Sequence, residues 1–100
     1  MKEPGDLILR VKKIYFDQIK SGEKPFEYRL RTPYWQKRIA GRVYKRVIIT
    51  HGYPPKGDSD RTIAFPWSGY IEQDLTHEHF GNASAEVYAI KLMKEEASHA

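Results

Sequence analysis

Apolar residues alternate with polar ones in some segments of the chain and recur every three or four residues in others. The first pattern predicts strands and the second predicts helices. Residues 45–50 are rich in β-branched side chains and predict the most strongly hydrophobic strand. Further strands are predicted over 7–11, 26–31, 61–65, 70–75 and 87–93. Helical spacing, or a cap residue before proline, predicts helices over 13–20 and 33–40 and a single helical turn over 76–81.

This order of elements predicts an α+β fold. Five or six short, mostly antiparallel strands with two or three short helices are typical of a small β-barrel with helical insertions. A doubly wound sheet is not expected, because the helices do not alternate regularly with the strands. A chain of 100 residues corresponds to a single domain spanning 1–100, and we expect the polar tail at 94–100 to fray.

Residues 21–31 are the most informative segment. Ser21-Gly22 ends the first predicted helix, and apolar and charged residues then alternate. Because side chains of a strand point to opposite faces in turn, Phe26, Tyr28 and Leu30 share one face, which we expect to be the core face. The opposite face is charged, with Glu27, Arg29 and Arg31, and Lys24 lies at its entrance.

The excess of basic over acidic residues favours an anionic binding partner. Lys and Arg number 17 against 13 Asp and Glu, and residues 29–46 contain seven basic residues and no acid. The chain has no cysteine, which excludes disulfides and cysteine zinc sites. It has neither an apolar run near the roughly 20 residues of a membrane helix nor an apolar signal segment, so we expect a cytoplasmic protein with no membrane attachment.

One motif resembles a known family. A short helix followed by Gly-x-Lys-x-x-Glu-x-Arg and a strand is similar to the signature of the ASCH domain, which has a PUA-like β-barrel fold. Here the motif is Gly22-Glu23-Lys24-Pro25-Phe26-Glu27-Tyr28-Arg29, and the order of elements covers essentially the whole chain. The segments 34–53 and 66–70 resemble a small subgroup found in phage and bacterial genomes.

The resemblance implies RNA binding in a cleft that carries the signature. It also implies enzymatic alternatives, because some members are reported to cleave RNA and one bacterial branch hydrolyses N4-acetylcytidine. That branch uses the signature lysine, which corresponds to Lys24, together with a threonine nucleophile and a distant glutamate. The threonine position corresponds to Glu27 here, so this chain departs from that pattern.

The chemistry of the motif residues fits a nucleotide site. Lys24 offers a point charge for phosphate, and Arg29 offers a planar fork for phosphate or a base edge. Glu27, between two cations, could accept protons from a base amino group or activate a water. Lys24 and Glu27 are therefore the candidate catalytic residues and Arg29 a binding residue. The alternative is a surface cluster of ion pairs.

Further binding residues are predicted outside the motif. Arg31, Lys37 and Arg38 belong to the basic block and could follow a phosphate backbone, or could form a solvated surface. Tyr53 and Trp67 lie in predicted loops and could stack on unpaired bases, or could belong to the core. His51 follows the central strand and is either a phosphate donor or acid–base group, or a loop histidine bonded to backbone.

No metal or other cofactor is expected, because the pair His77-x-His79 has no obvious third ligand. Three functions remain open. The first is a module that binds RNA or a nucleotide. The second is a small hydrolase, either a ribonuclease or an amidohydrolase acting on a modified nucleoside such as N4-acetylcytidine. The third is a protein–protein adaptor whose charged face is only solvated.

Overall fold

Six strands and two helices form the fold in the part of the chain that the structure describes. A computed structural model describes residues 5–52, 59–76 and 84–93. In chain order the elements are β1 (Asp6–Val11), α1 (Lys13–Ser21), β2 (Phe26–Leu30), α2 (Pro33–Ile39), β3 (Arg46–His51), β4 (Thr62–Pro66), β5 (Tyr70–Thr76) and β6 (Ser84–Lys91). A 3₁₀ turn at Ser59–Arg61 precedes β4. The predicted α+β class is confirmed, and the predicted boundaries lie within a few residues of the observed ones.

The strands form two three-stranded sheets, in the orders β1-β3-β4 and β2-β6-β5. β1 runs parallel to β3, and the other three pairings are antiparallel. This agrees with the prediction that most strands are antiparallel. No closed barrel is found among the described residues, so the barrel stays a prediction. The predicted helical turn at 76–81 and the tail at 94–100 fall largely or wholly outside the described ranges.

The connection from β4 to β5 joins the two sheets. Gly69 has φ of +86°, a left-handed conformation that glycine adopts without steric cost, and it allows the chain to turn between sheets. The Trp67 N–H donates to the Lys45 carbonyl at 3.3 Å, before β3. The Lys91 N–H, at the end of β6, donates to the Gly69 carbonyl at 3.1 Å. The connection is therefore hydrogen-bonded to both sheets.

One hydrophobic core holds the sheets and helices together. The first sheet contributes Leu7, Leu9, Val47, Ile49 and Phe65, and the second contributes Tyr88 and Ile90. Both helices add buried side chains: Phe16 and Ile19 from α1 and Ile39 from α2. Because these residues form one contiguous cluster, the two sheets share a single core.

The core-facing side of β2 differs from the prediction. Leu30 is 40% exposed, whereas Glu27 is only 8% exposed. β2 pairs antiparallel with β6 so that Glu27 lies opposite Ile90 and Arg29 opposite Tyr88, two residues of the core. Residues directly opposite in an antiparallel pair share a face of the sheet. The charged face of β2 therefore points inward, and the expectation that Phe26, Tyr28 and Leu30 form the core face is wrong.

An ion pair connects β1 to β3 at the start of both strands. Arg46 donates to Asp6 through two nitrogens, at 3.2 and 2.8 Å, and these residues are register partners. The hydrogen bond from Arg46 lowers the pKa of Asp6 below its ordinary value. A carboxyl group with a lowered pKa adds stability above its unfolded pKa of about 3.9, and this contribution disappears as the pH falls through the folded value.

Asp6→Asn is expected to lower the melting temperature at pH 7 by about 1–3 °C, because the pair is partly exposed. The difference from wild type should shrink as the pH falls from about 5 through the lowered folded pKa of Asp6, below which Asp6 is protonated in both states. Thermal unfolding followed by circular dichroism across this range measures it. Asp17→Asn, which breaks an exposed pair with Lys13, is the control of equal charge. A difference that does not change with pH would contradict the assignment.

Candidate functional site

The turn between α1 and β2 fixes the position of Lys24. Gly22 ends α1 with φ of +87°, and its N–H donates to the Ile19 carbonyl at 3.1 Å. The Lys24 N–H then donates to the Gln18 carbonyl at 3.0 Å, which holds the turn against the helix. Lys24 therefore lies just before β2, three residues from Glu27.

Glu27 is the central charge of the site. Its Oε2 lies 2.8 Å from an Arg29 terminal nitrogen, and its Oε1 lies 3.9 Å from the Lys24 Nζ. The Glu27 side chain is 10% exposed, and those of Arg29 and Lys24 are 17% and 21% exposed. A carboxylate with so little contact with water is stable only when cations or hydrogen-bond donors compensate the lost hydration. Lys24, Glu27 and Arg29 therefore form one partly buried cluster.

Arg29 connects this cluster to neighbouring elements. The nitrogen that contacts Glu27 also donates to the Arg10 carbonyl of β1 at 2.9 Å. The guanidinium carbon lies 4.9 Å from the centre of the Trp35 ring of α2, a cation–π contact. The buried Nε of Arg29 has no hydrogen-bond partner among the described residues. Arg29 thus positions Glu27 and ties β2 to both β1 and α2.

Lys24 is differently placed. Its Nζ lies 4.8 Å from the centre of the Tyr28 ring and 5.5 Å from that of Tyr15. At 3.9 Å, its contact with Glu27 is an ion pair without a hydrogen bond. Within the described ranges no hydrogen bond from the ammonium is found, so its three N–H donors can serve a ligand.

These residues line a cavity of about 600 Å³. Pockets of roughly 300–1,000 Å³ are the usual size for small-molecule and cofactor sites. Besides Lys24, Glu27 and Arg29, the walls include Arg10, Lys12, Tyr15, Tyr28, Tyr34 and Trp35. The β1–α1 junction, β2 and the start of α2 supply most of these residues. The cavity therefore combines basic groups, one buried carboxylate and several aromatic rings.

Arg31 does not reach the cavity. It lies just after β2, 2.9 Å from Glu72 of β5 and 3.2 Å from Glu86 of β6. Burial acts to lower the pKa of Arg31, but the bond to Glu86 and the charges of both glutamates outweigh it, so the pKa is raised. Two carboxylates thus neutralise a cation that the sequence analysis assigned to binding.

The other predicted binding residues that the structure describes are also outside the cavity lining. Lys37 and Arg38 lie on the last turn of α2. The Trp67 ring packs against Tyr44 and Tyr70, with centroids 5.2 and 6.4 Å apart, beside the core. His51 ends β3 near the Phe16 ring, at 6.2 Å. Tyr53 lies outside the described residues.

Two cationic lining residues were missed by the sequence analysis. Arg10 and Lys12 lie at the end of β1, twelve and ten positions before the first residue of the motif, Gly22. The available signal was the alternation of β1, which places Arg10 on the face opposite the buried Leu7 and Leu9. Trp35 both packs against the core and lines the cavity.

The described residues contain neither a metal-binding cluster nor a membrane-spanning helix. No group of three or more His, Asp or Glu side chains there is arranged to hold a metal ion, and His77 and His79 lie outside that part of the chain. No helix within it has the length and apolar character needed to span a membrane.

Comparisons with protein-family models, curated proteins and solved structures gave no match.

The contribution of the Glu27 ion pairs to the stability of the protein can be measured. Arg29→Met removes the guanidinium that lies 2.8 Å from the buried carboxylate, and we expect the free energy of unfolding to fall by about 2–4 kcal/mol. Urea denaturation measures the loss. The double variant Glu27→Leu/Arg29→Met removes both charges and should recover most of it.

Arg31→Met is the matched control for that experiment. Its partners Glu72 and Glu86 are 54% and 71% exposed, so they regain hydration when the guanidinium is removed, and the loss should be much smaller. Equal losses in the Arg29 and Arg31 variants would contradict the special role of Glu27 burial.

Proposed function

We propose that this chain binds RNA or a nucleotide in the cavity around Lys24, Glu27 and Arg29. The observation that carries the proposal is the Lys24 ammonium, which lines the cavity between aromatic rings and makes no hydrogen bond to the described residues. A desolvated lysine with available donors is suited to a phosphate or carbonyl oxygen.

The charge of the cavity favours a ligand that carries phosphate. Among the described residues, four cationic side chains line it, those of Arg10, Lys12, Lys24 and Arg29, against the one carboxylate of Glu27. A pocket with excess positive charge attracts anions and stabilises them where water is partly excluded. A nucleotide therefore fits the cavity better than an uncharged nucleoside.

The remaining groups fit a nucleobase. The rings of Tyr15, Tyr28 and Tyr34 offer stacking surfaces, and stacking on an aromatic side chain contributes about 1–3 kcal/mol per base. The Glu27 carboxylate lines the cavity, and a carboxylate oxygen is the type of acceptor that a base amino group requires. In this arrangement Lys24 binds phosphate or a carbonyl, and Arg29 holds Glu27 in place.

The resemblance to the ASCH domain supports the same function. It rests on the motif at Gly22–Arg29, whose lysine and glutamate line the cavity. We also propose that the chain forms a PUA-like barrel of the type found in phage and bacterial proteins. In this proposal the protein acts in the cytoplasm. The inward-facing Glu27 favours a binding site over an adaptor whose charged face is only solvated, because a solvated cluster would not need a buried carboxylate.

Titration with nucleoside monophosphates tests the proposal. Lys24→Met should weaken binding by about tenfold or more, because a hydrogen bond to a charged group contributes about 1.5–3 kcal/mol. Lys20→Met, on the exposed side of α1, removes the same charge outside the cavity and should leave affinity within about twofold. Isothermal titration calorimetry measures both. If wild type binds no nucleotide, or if both variants weaken equally, the site is wrongly assigned.

A hydrolase is the second candidate. The observation that favours it is the contact of Lys24 with the buried Glu27 in a cavity that also contains the hydroxyl of Thr32. That hydroxyl accepts the Trp35 N–H at 3.4 Å as the cap of α2, and its own proton remains available for donation. Substrates in this class are RNA and modified nucleosides such as N4-acetylcytidine.

Long incubation of the protein with RNA and with N4-acetylcytidine, followed by chromatography of the products, tests the enzymatic candidate. Turnover should disappear in Lys24→Ala while the melting temperature stays near that of wild type, because Arg29 remains paired with Glu27 at 2.8 Å, closer than Lys24 at 3.9 Å. Absence of product from wild type, or full activity in Lys24→Ala, would remove this mechanism.

A further inference from the structure

Two groups of basic residues in the segment 31–46 differ in their ion pairing. Arg31 and Arg46 form ion pairs with carboxylates of other strands. A second group, on and just after α2, has no ion pair with a carboxylate in the described parts of the chain. This group, here termed the α2 basic surface, consists of Lys37, Arg38 and Arg42. No Asp or Glu occurs between residues 28 and 57, so its own segment supplies no counter-charge.

The arginines of the α2 basic surface are held in defined orientations. The Arg38 guanidinium lies 3.6 Å from the centre of the Tyr34 ring, and its NH1 donates to the Tyr34 carbonyl at 3.0 Å. The Arg42 Nε donates to the Lys37 carbonyl at 2.9 Å. Anchoring by backbone carbonyls reduces the conformational entropy that each side chain would lose on binding a phosphate.

Tyr34 joins this surface to the cavity. Tyr34 lines the cavity, and its ring packs edge-to-face with the Trp35 ring, with centroids 4.9 Å apart. The same ring carries the Arg38 guanidinium, and Tyr34 is 56% exposed. A ligand leaving the cavity past Tyr34 therefore meets Arg38 first, and then the rest of the α2 basic surface.

We propose that the natural ligand is a single-stranded RNA, with one nucleotide in the cavity and the adjoining phosphates on the α2 basic surface. This inference rests on the proposed nucleotide site and extends it from a mononucleotide to a strand. Unpaired nucleotides combine phosphates for the cations with a base that can stack on an exposed aromatic ring such as Tyr34. An acidic peptide would match the charges but not the exposed ring.

The experiment compares a nucleoside monophosphate with a pentanucleotide RNA on the intact chain. Fluorescence anisotropy competition at several salt concentrations gives both affinities and the salt slope. Arg38→Gln/Arg42→Gln should leave mononucleotide affinity within about twofold and weaken the RNA by about tenfold or more. It should also reduce the slope of log affinity against log salt by about 1.4, since each phosphate contact on a single strand contributes about 0.7.

Two further variants separate local contacts from net charge. Lys13→Gln/Lys20→Gln removes the same charge from α1 at positions outside the cavity lining, and RNA affinity should stay within about twofold. Arg38→Lys/Arg42→Lys keeps the charge and should retain the salt slope of wild type. Melting temperatures confirm that each variant is folded.

The outcomes distinguish this inference from the proposed function. If the mononucleotide binds but the RNA binds no more tightly, or if both double glutamine variants weaken the RNA equally, the α2 basic surface has no role and the cavity assignment survives. If neither ligand binds wild type, both are overturned. A poly-glutamate peptide that competes as well as the RNA would replace the strand with an acidic peptide.

Discussion

The buried carboxylate of Glu27 is the constraint on which the geometry of the site depends. A negative charge on the inner face of a sheet is strongly unfavourable unless positive groups lie within contact distance. Arg29 and Lys24 meet this requirement from two directions, at 2.8 and 3.9 Å. Because Arg29 also bonds the Arg10 carbonyl, the same charge fixes how β2 packs beside the end of β1. The cavity occupies the space between these groups.

This arrangement gives the two cations different roles. Arg29 contacts Glu27, the β1 backbone and the Trp35 ring, so it acts as structural support. Lys24 contacts Glu27 without a hydrogen bond and lies against aromatic rings, so its donors can meet a ligand. A site built this way is preorganised, because its charged support is in place before binding. The same residues thus carry both stability and recognition.

Spacing along the chain predicted part of the site. Lys24, Glu27 and Arg29 lie in one short turn and strand, so local geometry alone brings them together. The aromatic and cationic wall formed by Arg10, Lys12 and Tyr34 comes from other elements, and no local pattern reports which elements will be neighbours. The basic residues of the segment 29–46 do not form one continuous basic surface. Arg31 and Arg46 form ion pairs with carboxylates of other strands.

By itself the sequence determined the type and order of the helices and strands, since these follow from periodicity, caps and breakers acting over a few residues. It also determined that Glu27 and Arg29 share one face of β2, opposite Phe26, Tyr28 and Leu30. Only the tertiary structure decided which face is inside. The antiparallel register of β2 with β6 sets Glu27 against Ile90 and Arg29 against Tyr88. Alternation within one strand distinguishes its two faces, but pairing and packing with other strands decide which of them is buried.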